Sequence, residues 1–141
     1  MPESRSLMAF DFGEKWIGVA VGQQMLGYGA GKARLKARDG IPDWNQVGEL
    51  IDTWQPDLFL VGLPLDMDGT ETWLCHLARK FARRLEGRYH RPATMVDERL
   101  TTHEAKQESL AQGRVPDHAD EGVDRRAAEL ILETWCASAS D

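Results

Sequence analysis

The apolar positions of this chain fall into two kinds of run: short dense stretches, and longer ones spaced at three and four. Residues 7–12 form a short apolar stretch carrying one carboxylate, Asp11, and residues 16–21 form a second, β-rich stretch with Gly18 inside it. Gly13 lies between them, where its backbone freedom suits a tight turn. Together they predict a hairpin. Residues 26–35 predict a third strand. Lys32, Arg34, Lys36 and Arg38 take every second position there, so they share one face if the strand continues, with Ala33, Leu35 and Ala37 opposite. The simpler interpretation of those cations is a solvated edge; the sharper one is a surface for phosphate.

Residues 39–43 predict a turn, with Asp43 as the N-cap of a helix whose apolar positions are Trp44, Val47, Leu50, Ile51 and Trp54. Pro56 ends it. Residues 58–61 read as a strand buried on both sides, as in a parallel sheet. They open into the loop GLPLDMDGTE. Thr70 is expected to start a long helix with the stripe Leu74, Ala78, Phe81 and Leu85, and with Arg79, Lys80, Arg83, Arg84 and Arg88 on its other faces. Residues 93–97 predict a fifth strand, followed by DERLTTHEA, where Thr101 or Thr102 caps a helix reaching about residue 112. A polar loop over 113–122 leads to a last helix over 123–135, with Ala127, Leu130, Ile131 and Trp135 facing inward. Three strands followed by alternating helices and strands predict an α/β fold. Its sheet has five strands, three antiparallel and then two parallel to the first, flanked by helices, in a single domain over 1–141.

Composition narrows the functional classes. No apolar run approaches the roughly 20 residues that span a bilayer, and the first ten residues lack the apolar core of a signal peptide, so a cytoplasmic location without membrane contact is expected. Cys75 and Cys136 stand far apart with no C-x-x-C pair, and read as small buried hydrophobes rather than zinc ligands or a disulfide. A net charge of −6 argues against sequence-blind coating of nucleic acid but leaves room for a local basic face. His76, His90, His103 and His118 read as surface residues.

Three acidic positions stand out. Asp11 lies in the first strand, Asp97 and Glu98 close the fifth, and Asp124 opens the last helix. Adjacent strand residues point to opposite faces, so only one of Asp97 and Glu98 shares a face with Asp11. Asp124 precedes Ala128, Ile131 and Trp135 by four, seven and eleven residues, which puts it on the packed side of its helix. Acids brought together stay ionised only with cations between them, and oxygen-only ligands favour Mg²⁺ or Mn²⁺. Taken singly, each acid is equally readable as a cap or an ion-pair partner.

Four segments, AFDFGEKWIGVAVG, VGLPLDMDGTE, DERLTTHEA and VDRRAAELIL, occur in the order and register of the YqgF family, also called RuvX, within the ribonuclease H-like superfamily. The chain resembles that family over nearly its whole length. The resemblance implies an RNase H-like fold and a catalytic, metal-binding triad of Asp11, Glu98 and Asp124. It also implies substrate contacts from Gly13, Arg99, Thr101 and Thr102, with Glu104 near the site. Lys15 in the same turn as Gly13, and Arg83 and Arg84 of the basic helix, complete the substrate-binding set expected here. The loop from Gly62 to Gly69 is expected to shape the groove, because ligands gather at the ends of parallel strands. Two departures concern the grip on nucleic acid. Glu121 and Gly122 stand where members often carry a basic residue, and Arg125 and Arg126 follow Asp124 where small residues are common.

The activity expected is hydrolysis of phosphodiester bonds with two Mg²⁺ or Mn²⁺ ions, and the resemblance implies that it acts on structured RNA to mature the 5′ end of pre-16S rRNA. Holliday junction cleavage on branched DNA is the alternative. Two further readings use the same fold. One is an ATP-binding protein, because DFGEKWIGVAV imitates the phosphate loop of actin-like kinases, although a single such loop is too few. The other is a non-catalytic RNA-binding protein. A monomer and a homodimer are both compatible with the sequence.

Overall fold

The six-residue stretch LFLVGL is buried at every position, which requires cover on both faces of its sheet. The computed structural model, which describes residues 4–98 and 121–139, supplies that cover. Its strands are β1 (Ser6–Asp11), β2 (Trp16–Gln23), β3 (Tyr28–Arg38), β4 (Ile41–Pro42), β5 (Leu58–Leu63) and β6 (Ala93–Asp97). Its helices are α1 (Trp44–Trp54), α2 (Trp73–Tyr89) and α3 (Glu121–Ala139). The sheet runs β4-β3-β2-β1-β5-β6. The first four strands pair antiparallel, and β5 and β6 run parallel to β1.

The sheet therefore has six strands rather than the five expected. The added strand, β4, pairs Ala37 with Pro42 and Arg38 with Ile41 across a two-residue loop. Asp39 and Gly40 in that loop both have positive φ, 52° and 80°, the geometry that Asp-Gly favours in tight hairpins. Two residues are too few to display a period, so the turn was legible and the strand was not. For the same reason β3 runs on to Arg38.

Helix α1 starts where expected: Asp43 accepts a hydrogen bond from the Asn45 backbone N–H at 2.9 Å. Helix α2 starts at Trp73, three residues after the expected start at Thr70, and is capped by Thr72, which accepts from the Cys75 N–H. Both helices cover one face of the sheet. There Val47 and Ile51 of α1 and Ala78, Phe81 and Leu85 of α2 pack on Met8, Phe10, Phe12, Ile17, Val19, Phe59 and Val61. Phe10 and Phe81 meet edge to face at 5.3 Å. Helix α3 covers the other face, with Ile131, Leu132 and Cys136 on Leu7, Ala9, Leu58, Leu60 and Val96. It begins two residues earlier than the sequence predicts and, with the residues expected as its stripe, also buries Ala128 and Leu132. Trp135 packs only at the edge of this cluster.

Across β2 and β3 the sheet offers α3 mostly backbone. A Cβ added at Gly18 would strike the Asp124 carbonyl, and one at Gly31 would come within 2.7 Å of the Arg125 Cβ. A bulge keeps this lane on one face. Val19 opposes Ala33 while Ala20 opposes Gly31, so Lys32 is the extra residue and the alternation of β3 changes phase there. No helix among the described residues is long and apolar enough to cross a membrane.

Candidate active site

Leu7 and Ala9 belong to the cluster under α3, so Asp11, two residues on, faces α3 as well. Val96 belongs to the same cluster, which puts Glu98 on that face and Asp97 on the other. Glu98 is buried while Asp97 is exposed. The Glu98 backbone N–H donates to the Leu63 carbonyl at 3.2 Å, extending the β5–β6 ladder by one residue. Between the two acids lies Gly62. A Cβ there would collide with the Glu98 Oε2 and approach Ile131 Cδ1 to 2.7 Å. The missing side chain lets the Glu98 carboxyl cross the end of β5 toward Asp11, and the two carboxyls share a hydrogen bond.

Asp124 arrives from above. In the sheet, Asp11 pairs with Gly18 and Gly18 with Arg34, one row across three strands. The α3 backbone at Asp124 rests on Gly18, the middle of that row. Its Oδ2 accepts from the Arg34 Nε at 2.7 Å, with side-chain exposures of 15% and 7%. The Arg34 guanidinium also lies over the Trp16 ring, 3.5 Å from its centroid. Among the described residues no three His, Cys, Asp or Glu side chains gather tightly enough to hold one metal ion. The structure presents a joined pair, Asp11 and Glu98, with Asp124 beside it and turned to Arg34.

The electrostatics follow from that crowding. Burial raises the Asp11 carboxyl to about 7 from 3.8; the charge of Asp124 adds to the rise and the Glu98 hydrogen bond opposes it. Glu98 is pushed well above the usual carboxylate range, first by burial and then by the charge of Asp11. Both carboxyls are therefore held toward the protonated form, because a second charge beside the first in so dry a place is costly. Because the folded carboxyls hold protons that the unfolded chain has released, the stability they contribute is complete below about pH 4 and is lost as pH rises through about 7. In EDTA the melting temperature is therefore expected to fall between about pH 5 and about pH 8, by an amount equivalent to a few kcal/mol. Mg²⁺ or Mn²⁺ should recover more of it at the higher pH. A melting temperature that is flat or rising over this range would contradict the arrangement.

The other expected site residues are scattered. Gly13 and Lys15 lie in the β1–β2 turn, with Lys15 exposed and its carbonyl accepting from the Ala37 N–H at 2.7 Å. Gly13 does not have positive φ. What favours glycine there is space, since a Cβ would come within 2.5 Å of the Trp16 carbonyl oxygen. Arg83 and Arg84 are on α2, which packs on the opposite face of the sheet from Asp11. Arg99, Thr101, Thr102, His103, Glu104 and His118, the helix expected up to residue 112 and positions 113–120 of the expected loop lie outside the described residues. Glu121 and Gly122, assigned to that loop, begin α3. Arg34 is the residue that sequence reasoning undervalued. Its place in an alternating basic run was visible, but its contact with Asp124, 90 residues away, was not.

A family model described as "RuvX: Holliday junction resolvase" matches residues 5–138. The chain belongs to the RuvX family. A relative in Marinobacter nauticus, named "Putative pre-16S rRNA nuclease", is 61% identical over 135 residues, covering 96% of this chain and 94% of that protein. A Pseudomonas aeruginosa relative of the same name is 50% identical, covering 97% of this chain and 95% of its own length. Among solved structures, Thermus thermophilus RuvC in complex with a Holliday junction substrate aligns with a TM-score of 0.56 at 13% identity, over 96% of this chain and 97% of that one. At that identity the likeness concerns the fold, which is RNase H-like α/β as this RuvX sequence implied.

Proposed function

We propose that this RuvX protein is a divalent-metal-dependent nuclease of the cytoplasm that hydrolyses phosphodiester bonds in the maturation of the 5′ end of pre-16S rRNA. The observation that carries the reading is the Asp11–Glu98 pair: two hydrogen-bonded carboxyls, Glu98 buried, both pushed toward the protonated form by burial, with Asp124 on the helix beside them. The names of the relatives support the same class of reaction and favour the RNA substrate.

The donor set fits a hard cation. All three side chains offer oxygen alone, the selection that suits Mg²⁺ or Mn²⁺ over zinc. Gly62 leaves the Glu98 carboxylate room that any Cβ would occupy. Asp11 and Glu98, already joined, are the residues that would hold the metal, and Asp124, turned to Arg34 beside them, is the third expected ligand. Bound there, Mg²⁺ or Mn²⁺ would supply an activated water and compensate the charge on the departing oxygen. The chain's own part is to keep these acids on a rigid scaffold of strand ends and helix. Asp11 and Glu98, held toward the protonated form by burial, would act as ligands in their ionised form, releasing their protons to solvent. Arg34 neutralises Asp124 and, stacked on Trp16, holds it over the sheet. Arg99, with a guanidinium that forks onto phosphate oxygens, is the expected phosphate clamp. Cleavage of this kind leaves a 5′ phosphate and a 3′ hydroxyl.

The test is cleavage by the purified protein of a labelled precursor RNA spanning the 16S 5′ end, beside a four-way DNA junction, in Mg²⁺, Mn²⁺ or EDTA. Metal-dependent shortening of the RNA is the expected result. Preferential nicking of the junction would favour the second reading, Holliday junction resolution, to which the family description points. Tight RNA binding with neither substrate cut would replace both with a non-catalytic role.

A further inference from the structure

Beyond the acids, the densest positive feature on the sheet is its β3 edge. Strand β4 covers that edge only at Ala37 and Arg38, and among the described residues no other strand pairs with it. Alongside runs a groove of about 610 Å³, walled by α1 on one side and by the start of α3 on the other. Lys32, Arg34, Lys36 and Arg125 line it, against one carboxylate, Glu49. A second hollow of about 580 Å³ continues past Lys36 to Arg38. The bulge turns Lys32 toward α1, where its ammonium lies 4.8 Å from the Trp54 ring centroid. Charge on an edge strand often serves only to block pairing with other chains. Here the charges are concave, Lys32, Arg34, Lys36, Arg38 and Arg125 against Glu49 and Asp43, and set in a protein whose net charge is −6. That is a local field of the kind that draws in a polyanion.

We propose that this β3-edge groove is the docking track for the sugar–phosphate backbone of a single RNA strand, delivering it to the carboxylates. The inference rests on the nuclease reading above for its choice of RNA. Arg34 joins track to site: it lines the groove and donates to Asp124. In the sheet it stands two strands from Asp11, through Gly18, which at the usual strand spacing is about 10 Å. Lysines and arginines of this kind grip phosphates without reading bases, so the track favours no sequence and sets direction and register.

The experiment is fluorescence anisotropy of the full-length protein with a labelled single-stranded RNA in EDTA, so that nothing is cut, over roughly 50 to 200 mM salt. The double variant Lys32→Ala/Lys36→Ala removes two exposed side chains. Its Kd should rise about tenfold at the low-salt end, and its log–log salt slope should shrink by roughly 1.4, about 0.7 for each phosphate no longer neutralised. Lys80→Ala/Arg91→Ala, outside the groove, removes the same charge and should do neither. Lys32→Gln/Lys36→Gln serves as the second variant should the alanine pair alter the melting temperature. Wild-type affinity and slope in the groove variants, or an equal loss in the charge-matched control, would overturn the track. The nuclease reading fails separately: if wild-type protein never cuts RNA with metal but the groove variants still lose binding, the track stands and the hydrolysis does not.

Discussion

Asp11→Asn is expected to lower metal-dependent cleavage by about 10³-fold or more while making the metal-free protein more stable above about pH 7. The two effects have one origin. The amide keeps the shape of the carboxyl and can still hydrogen-bond Glu98, so the strand end should not rearrange. It removes the charge that burial opposes: the Asp11 carboxyl is raised to about 7 because ionisation there is costly. Without the charge, the folded state no longer weakens as pH rises, and the slope of melting temperature against pH should flatten. A neutral amide is a poor ligand for a hard cation. Each 1.36 kcal/mol lost in the transition state is a factor of ten, so the loss of about 4 kcal/mol gives about 10³-fold. Glu98→Gln and Asp124→Asn should follow in activity. Asp97→Asn, exposed and facing away from α3, should change cleavage by no more than a few fold. Cleavage rates with saturating Mn²⁺, beside melts in EDTA, read both predictions. Asp11→Asn protein that retains a tenth of the activity would remove Asp11 from the reaction.

Gly18→Ala is expected to damage stability and activity together, through a single methyl group. The added Cβ would collide with the Asp124 carbonyl oxygen, and would lie 2.6 Å from its carbonyl carbon and 3.3 Å from the Arg125 nitrogen. All three are helix backbone, with no flexible side chain to swing aside, so α3 must lift or slide. Overpacking of this sort costs up to about 3 kcal/mol, roughly 10 °C in melting temperature for a domain of this size. The shift also moves Asp124 relative to Asp11, and a displacement of about 1 Å between catalytic groups costs on the order of 10²-fold. Thermal melts and cleavage rates measured on the folded fraction separate the two losses. Gly62→Ala should be milder in stability, because it meets the ends of the Glu98 and Ile131 side chains, yet it should still displace Glu98. Gly87→Ala is the contrasting case. Nothing lies within 4 Å of its added Cβ, and alanine in an exposed helix should stabilise by about 0.5–1 kcal/mol. Wild-type stability and activity in Gly18→Ala would mean that α3 does not rest on β2 as described.

Most of the secondary structure was legible in the chain because its signals are local. Asp43 caps α1 through a hydrogen bond that spans two residues, and the short apolar run over 58–61 predicts a doubly covered β5, which the structure extends to Leu63. Helix α2 shows the limit of such signals. The sequence places its start at Thr70, whereas the docked helix begins at Trp73 with Thr72 as its cap. Strand β4, with two residues, had no period to read.

For the site, the sequence by itself determined which residue types were at hand and in what order: three acids at the ends of elements, Gly13 two residues after Asp11, a basic stretch on β3. Alternation established that Asp97 and Glu98 could not both face Asp11. Which of them did so depended on where α3 packs, and that choice is made by Val96 and Ile131 coming together from distant parts of the chain. The Arg34–Asp124 bond and the passage of Glu98 over Gly62 belong to the same category. Strand register and helix position are set by the summed packing of the whole domain, so contacts between remote residues exist only once the chain has closed on itself.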